Sequence, residues 1–340
     1  MNNLPTLADL ARTMPSLSPP RLSTTTATAT AATVPVVHVL GVASSIGGPT
    51  AGPERAPAAL QAEGLAGALC GPLLAGAAGH CCRSDWAGIL SAPGGETPPR
   101  DNAQRWQRLG WLLKEQARLC AELSRPGHEG RDKLVVVGGD HSIAAGTWRG
   151  IGKHGGAPGL LWIDTHLDAH TPHTSPSGNP HGMPLAALLG HGEREMTDLG
   201  GPPLDPRRVV VFGVHSYEPE ERALLRALGV RIYDTSEIKR RGLRETLAEA
   251  LDTVRRGAHG FGITLDIDAV DPSEAPGVST PAANGLHGEE LAAALSGLLW
   301  LPDCRAVELV EYNPDRDIDN RTARLLLRLA RAMSTPPLGG

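Results

Sequence analysis

Aromatic residues are scarce. Two phenylalanines, three tyrosines and six tryptophans make up only 3% of 340 residues, so the core has to be assembled from Ala, Leu, Val and Ile. No apolar stretch approaches the roughly 20 residues of a membrane span. Long basic runs are missing too, and the net charge is −5, which makes nucleic acid and anionic membrane surfaces unsuitable partners. The five cysteines, Cys70, Cys81, Cys82, Cys120 and Cys304, form no C-x-x-C pair and no secreted disulfide framework. They read as buried or idle thiols in a reducing cytosol; adjacent Cys81 and Cys82 could sense oxidation, but nothing else supports that.

Residues 1–33 differ from the rest. They are rich in Ser, Thr, Ala and Pro and lack apolar periodicity, which predicts a disordered tail. Arg12 and Arg21 with one acid, Asp9, have a transit-peptide flavour, but the apolar centre of a secretory signal is missing. From Val34 onward strand and helix patterns alternate. Short β-branched runs such as "KLVVVGG", "LLWID", "RRVVVFGV" and "GFGITLDID" are separated by helical patterns such as "DNAQRWQRLGWLLKEQARLCAEL" and "RTARLLLRLARAM". This order predicts an α/β fold: one three-layer domain, residues 34–335, with a central parallel β-sheet flanked by helices. Domains of this class often exceed 250 residues. The Gly-, Pro- and Ala-rich segment from about Gly71 to Arg100 reads as a surface excursion.

Three of the apolar runs end in the same way. "LLWIDTHLDAH" runs into Asp164, His166, Asp168 and His170, "LVVVGGDHS" into Asp140 and His141, and "GITLDIDAVDP" into Asp266 and Asp268. Alternate residues of an extended strand share a face, and ligands of open α/β sheets gather at the carboxyl ends of strands. Three such ends would bring His141, Asp164, His166, Asp168, Asp266 and Asp268 to one crevice. Four carboxylates so placed repel one another, and two divalent cations would cancel their charge. Mixed imidazole and carboxylate ligands suit Mn²⁺, Fe²⁺, Co²⁺ or Ni²⁺, and zinc less distinctively. Two metals sharing a water lower its pKa toward neutrality and so provide a nucleophile. Each motif alone has a plainer reading. D-x-H can be a surface turn, GGDHS a strand-to-helix turn capped by Ser142, and Asp271-Pro272 a turn. Three of them, each after an apolar strand, make coincidence the weaker account.

With "GGDHS" (138–142), "DTHLD" (164–168), "SGNPHGMP" (177–184), "LDIDAVDP" (265–272) and "EYNP" (311–314) in this order, the chain resembles the ureohydrolases. That family includes arginase, agmatinase and guanidinobutyrase, and the loop after DTHLD is most similar to arginases. The resemblance implies a binuclear manganese site, with other divalent metals also possible. One ion would take His141, Asp164, Asp168 and Asp266, and the other His166, Asp164, Asp266 and Asp268. It implies hydrolysis of a guanidino group to urea and an amine, with Glu311 pairing the guanidinium and His181 shuttling protons. A homo-oligomer, a trimer or hexamer, is the implied assembly, and the cysteine usage places it in the cytoplasm. Blandly, Glu311 could be a strand-end acid and His181 a loop residue.

The same resemblance places Ser177 and Asn179 where arginases read the substrate's carboxylate, and Glu218 where an acid reads its amino group. His170 departs from the Asn that is often found there; it could donate to the carboxylate or turn to another partner. L-Arginine is therefore the expected substrate, giving ornithine and urea, with agmatine, guanidinobutyrate or another guanidino compound as the alternative. A catalytically silent scaffold would lack a ligand or the proton shuttle, and neither is missing. Deacetylases of related fold hold one zinc with fewer ligands. His173 and His215 are left without a role.

Overall fold

The computed structural model describes residues 34–70, 82–95, 97–125, 132–257 and 259–335. The tail expected at residues 1–33, and Cys81, lie outside the described residues. Eight strands carry the architecture: β1 (Val36–Ala43), β2 (Arg83–Ser91), β3 (Lys133–Gly138), β4 (Gly159–Ile163), β5 (Val209–Val214), β6 (Arg231–Asp234), β7 (Phe261–Asp266) and β8 (Cys304–Val310). They form one sheet in the order β2-β1-β3-β8-β7-β4-β5-β6, and every pairing is parallel.

Burial on both faces explains why the central strands read as continuous apolar runs. β3, β4, β5 and β7 are buried along their whole length. Alternation then sorts their side chains to the two sides. Val135 and Val137 pack with Leu247, Leu291 and Leu326 on one face. Leu134 and Val136 pack with Leu112, Trp148 and Leu185 on the other. The expected three layers result. Lys133, the one charge at the buried start of β3, points its Nζ at the carbonyls of Leu301 (3.0 Å) and Cys304 (2.9 Å). At Gly262 in β7 a Cβ would lie 2.0 Å from the Trp148 ring, so the glycine makes room for the largest residue of the neighbouring layer.

Two expectations need correction. The segment read as a surface excursion from Gly71 to Arg100 contains β2, the outermost strand. Its pattern is mostly exposed or half-buried, since an edge strand has a partner on one side only, and no apolar run marks it. A register irregularity opposite Val39 and Leu40 passes through Gly88 at φ +130°. The second correction concerns the thiols. Cys70 and Cys82 are joined in a disulfide with Cα atoms 5.6 Å apart, because the helix Leu65–Leu69 ends beside the start of β2. Cys120 and Cys304 are buried free thiols, as expected.

Strand order decides where chemistry can gather. β3, β8, β7 and β4 are neighbours at the middle of the sheet, and parallel pairing puts their carboxyl ends on one edge.

Candidate metal centre and active site

One local device recurs at these four strand ends. After β3, Asp140 Oδ1 accepts the N–H of Ser142 at 3.1 Å. After β4, Asp164 Oδ1 accepts from His166 N at 2.7 Å. At the end of β7, Asp266 Oδ1 accepts from Asp268 N at 2.8 Å. After β8, Asn313 Oδ1 accepts from Asp315 N at 3.1 Å. Each is an Asx turn, in which a short polar side chain replaces the next rung of the ladder and bends the chain off the sheet. The convergence expected from strand alternation is thus achieved by bending: β4 stops at Ile163, and Asp168 has φ +47°. The turn at GGDHS is capped by Asp140 rather than Ser142, and Asp140 also receives Gly47 N and Ser44 Oγ, both at 3.1 Å. Gly139 is required there, because a Cβ would lie 1.8 Å from the Ser44 carbonyl oxygen.

In Asp164 and Asp266 the turn uses one carboxylate oxygen and leaves the other outside it. Both of these second oxygens meet at His141, whose Nδ1 lies 3.1 Å from Asp164 Oδ2, 3.2 Å from Asp266 Oδ2 and 3.0 Å from Asp168 Oδ2. His166 Nδ1 lies 3.1 Å from Asp268 Oδ2 and 3.6 Å from Asp164 Oδ1. The structure therefore gathers all six expected metal ligands, His141, Asp164, His166, Asp168, Asp266 and Asp268, in two adjoining clusters that share Asp164. The first is fully buried.

Three features fit these clusters to cations. Among the described residues, the buried atoms His141 Nδ1 and Asp268 Oδ1 have no hydrogen-bond partner; three oxygens ring the Nδ1, yet none takes a bond from it. Its other nitrogen explains the orientation. Nε2 is 3.1 Å from Thr264 Oγ1, and that hydroxyl spends its proton on Glu308 Oε2 at 2.8 Å. Thr264 then accepts from His141 Nε2–H, which turns Nδ1 toward the carboxylates, where it carries a proton or gives that place to a cation. Stacking on Trp162, at 4.2 Å between centroids, holds the ring, and Trp162 Nε1 donates to Asp164 Oδ2 at 2.8 Å. Finally, charge demands a counter-ion. Burial and then the charges of Asp268 and Asp164 push the Asp266 carboxyl well above its ordinary range. Burial and Asp164 raise Asp168 to about 6. Burial would depress His141, but Asp164, Asp168 and Asp266 raise it well above normal. The cluster must bind protons or metal ions.

Glu311 follows β8 with φ +64°. Its N–H donates to Gly139 O (2.9 Å), its Oε1 accepts from His141 N (2.7 Å), and its buried Oε2 has no partner among the described residues. His181 Nδ1 lies 3.3 Å from Glu311 Oε1. Burial would lower the His181 pKa, but Glu311 raises it to about 9; burial would raise Glu311, and His181 holds it low. The pair is an imidazolium and a carboxylate beside the clusters.

The four expected substrate contacts sit farther out and bond mainly to one another or to local backbone. Ser177 Oγ accepts from Asn179 N at 3.2 Å. His170 is held at both nitrogens, with Nε2 3.1 Å from Glu218 Oε2 and Nδ1 3.1 Å from Thr174 Oγ1. Glu218 caps the helix Pro219–Leu228 in a capping box with Glu221, and burial raises Glu221 to about 8. His215 bonds to Gly213 O and Thr235 Oγ1, both at 3.1 Å. Thr264 and Glu308 were not foreseen. The acid inside "AVELV" was the available clue, since an unpaired carboxylate is out of place in a buried strand; Thr147, Trp148 and Thr264 all donate to it.

Residues 36–335 match the sequence profile described as "Arginase family". The arginase of Bacillus caldovelox is 39% identical over 227 residues, covering 66% of this chain and 76% of the relative. The arginase of Bacillus subtilis strain 168 is 36% identical over 234 residues, or 68% and 78%. The solved structure of the B. caldovelox arginase superposes with a TM-score of 0.79 at 30% identity, over 90% of this chain and 100% of that one. That of Bacillus subtilis gives 0.77 at 29%, over 89% and 100%.

Proposed function

This chain belongs to the arginase family, and from that premise we propose that it is a two-manganese hydrolase that cleaves L-arginine to L-ornithine and urea. The observation that carries the reading is His141 Nδ1 lying 3.0–3.2 Å from oxygens of three carboxylates, a donor set suited to manganese. We assign His141, Asp168, Asp164 and Asp266 to one ion and His166, Asp268, Asp164 and Asp266 to the other. Ions held by these residues would lower the pKa of a water toward neutrality and so provide the nucleophile.

The residues of this chain account for the rest. The guanidinium carbon is a poor electrophile, because resonance spreads its charge, so it must be held in place for attack. Glu311 does this: its free Oε2 is a buried acceptor that can take a guanidinium N–H, and a carboxylate matches the donor fork of the substrate. His181 carries a proton at neutral pH and can give it to the departing amine. A guanidinium arriving at Glu311 competes for the carboxylate that now holds the imidazolium, so binding loosens the proton that the last step needs. In this reading Ser177 and Asn179 take the substrate's carboxylate and Glu218 its amino group, with His170 holding Glu218.

No helix among the described residues is long and apolar enough to cross a membrane. We further read the protein as a cytoplasmic homo-oligomer, trimer or hexamer, with residues 34–335 as its catalytic domain and 1–33 as an appended tail. In a reducing cytoplasm Cys70 and Cys82 would stand as thiols. The decisive experiment is urea release after manganese reconstitution, across L-arginine, agmatine, guanidinobutyrate and guanidine. L-Arginine should be turned over fastest; a brisk rival beside inert arginine overturns the substrate, and silence on all four overturns the activity.

A further inference from the structure

Arg105 stands on the first turn of the helix Asn102–Leu123, an element separate from the strands whose ends build the metal clusters. Its Nη1 donates to Asn179 Oδ1 at 3.2 Å, across 74 residues of sequence. This contact fixes more than a distance. A guanidinium has donors only, so the Asn179 amide must turn its oxygen toward Arg105. Its Nδ2, with two N–H donors, then points the other way. That group has no hydrogen-bond partner among the described residues. Asn179 is also the residue before the short turn Pro180–Gly182, which carries His181. An amide held in this sense presents N–H groups two residues from the proton-carrying imidazole.

Arg105 forms no ion pair among the described residues. With Ser177, Gly178, Arg100 and Asp101 it lines a cavity of about 450 Å³. The acid in that wall is already engaged, since Asp101 caps the helix by accepting Gln104 N at 2.8 Å. A second cavity of about 440 Å³, which includes Ser44, Gly48 and Thr50, has Arg105 in its wall as well. The rim around Ser177 and Asn179 is therefore a cationic, donor-rich surface with its amide oriented for an anion.

We propose that Arg105 is the positioning residue that commits this site to carboxylate-bearing guanidino substrates: it holds Asn179 with its N–H groups toward the carboxylate and adds a positive field there. The proposal rests on the arginine-hydrolysing reading and sharpens it. Arginine carries the anion this rim awaits, whereas agmatine offers it nothing.

The test uses the manganese-loaded full chain and Arg105→Met, with Arg105→Lys as the conservative variant. Kinetics are read with L-arginine and agmatine, and calorimetric binding with the corresponding amines L-ornithine and putrescine. Arg105→Met should raise the arginine KM and the ornithine Kd about tenfold, which is about 1.4 kcal/mol. The kcat should stay within about twofold, as should agmatine kcat/KM and putrescine Kd. Arg105→Lys should recover most of the loss. Equal losses with both ligand pairs, unchanged ornithine binding, or no rescue by lysine would each overturn the proposal. Wild type that releases no urea from any guanidino compound defeats the parent reading alone, because ornithine against putrescine binding still decides the role of Arg105. A wild type that does not distinguish the two amines defeats the proposal too.

Discussion

The floor and the rim of the crevice are built by different means. On the floor, backbone N–H groups set the carboxylates: His166 N holds Asp164 and Asp268 N holds Asp266, within turns that end two central strands. Asp164 and His141 are 0% exposed. On the rim, side chains hold one another. His170 bonds to Thr174 and Glu218, Arg105 bonds to Asn179, and the Glu218 side chain is 52% exposed. The contrast teaches where each property is kept. A geometry that must place two cations is written into main chain and low dielectric, where electrostatic terms are large. Substrate choice is left to side-chain contacts, some reaching solvent, that a few substitutions can retune.

The sharpest way to break this comparison is to remove a carboxylate that both clusters use. Asp266→Ala should bring metal content below two ions per chain and cut urea release by at least roughly 10³-fold, beyond the loss of a single charge-stabilising group. The circular dichroism spectrum should persist, since only one turn hydrogen bond goes with the carboxylate. Retained activity within tenfold would show that the floor is not a metal centre.

Second in size comes the proton carrier. His181→Ala should lower kcat by about 10²–10⁴-fold, the range for general acid–base groups, with metal content unchanged. The same pair makes a stability prediction with a definite sign. His181 has a folded pKa of about 9 against about 6.5 in an unfolded chain. Its ion pair with Glu311 is therefore fully stabilising below about pH 6.5 and fades as pH rises through about 9. The melting-temperature gap between wild type and His181→Ala should shrink from pH 6 to pH 10. A gap that widens would reverse the assigned charge states.

Thr264 lies behind the floor and touches no substrate. Thr264→Val keeps the shape but removes the acceptor that fixes the His141 tautomer, and leaves Glu308 short of a donor. Loss of such an outer partner typically costs 10–100-fold in metal affinity, so chelator titration should release metal at correspondingly lower chelator concentration. Activity at saturating Mn²⁺ should recover. Unchanged affinity would mean that Trp162 stacking alone orients the ring.

The floor was largely readable from the chain because its ligands follow apolar strands within a few residues. What could not be read was the adjacency of β3, β8, β7 and β4. Chain order does not state which strands a crossover will straddle, and β8 enters beside β3 from the far end of the sequence. The manner of convergence was also hidden. Alternation along "DTHLD" gives the right set of side chains, but the bend at Asp164 and the positive φ of Asp168 bring them together. β2 escaped notice because an edge strand need not be apolar, and the Cys70–Cys82 bridge because proximity there depends on that unseen strand. Arg105, Thr264 and Glu308 act on partners 44 to 161 residues away, and no local pattern reports such contacts.

The smallest effect is expected at His170, and its sign is informative. Burial would raise the Glu218 carboxyl, but the His170 hydrogen bond holds it below the ordinary range. To meet a substrate ammonium, Glu218 has to give up that imidazole. His170→Asn removes the competitor and places a neutral amide at the rim. The arginine KM should then fall by roughly fivefold, about 1 kcal/mol, the upper end for a half-exposed charged contact. The kcat and the metal content should not move, because nothing on the floor bonds to His170. A KM that instead rises tenfold would mean that the imidazole itself contacts the substrate. Loss of metal would join rim and floor into one unit and end the distinction between them.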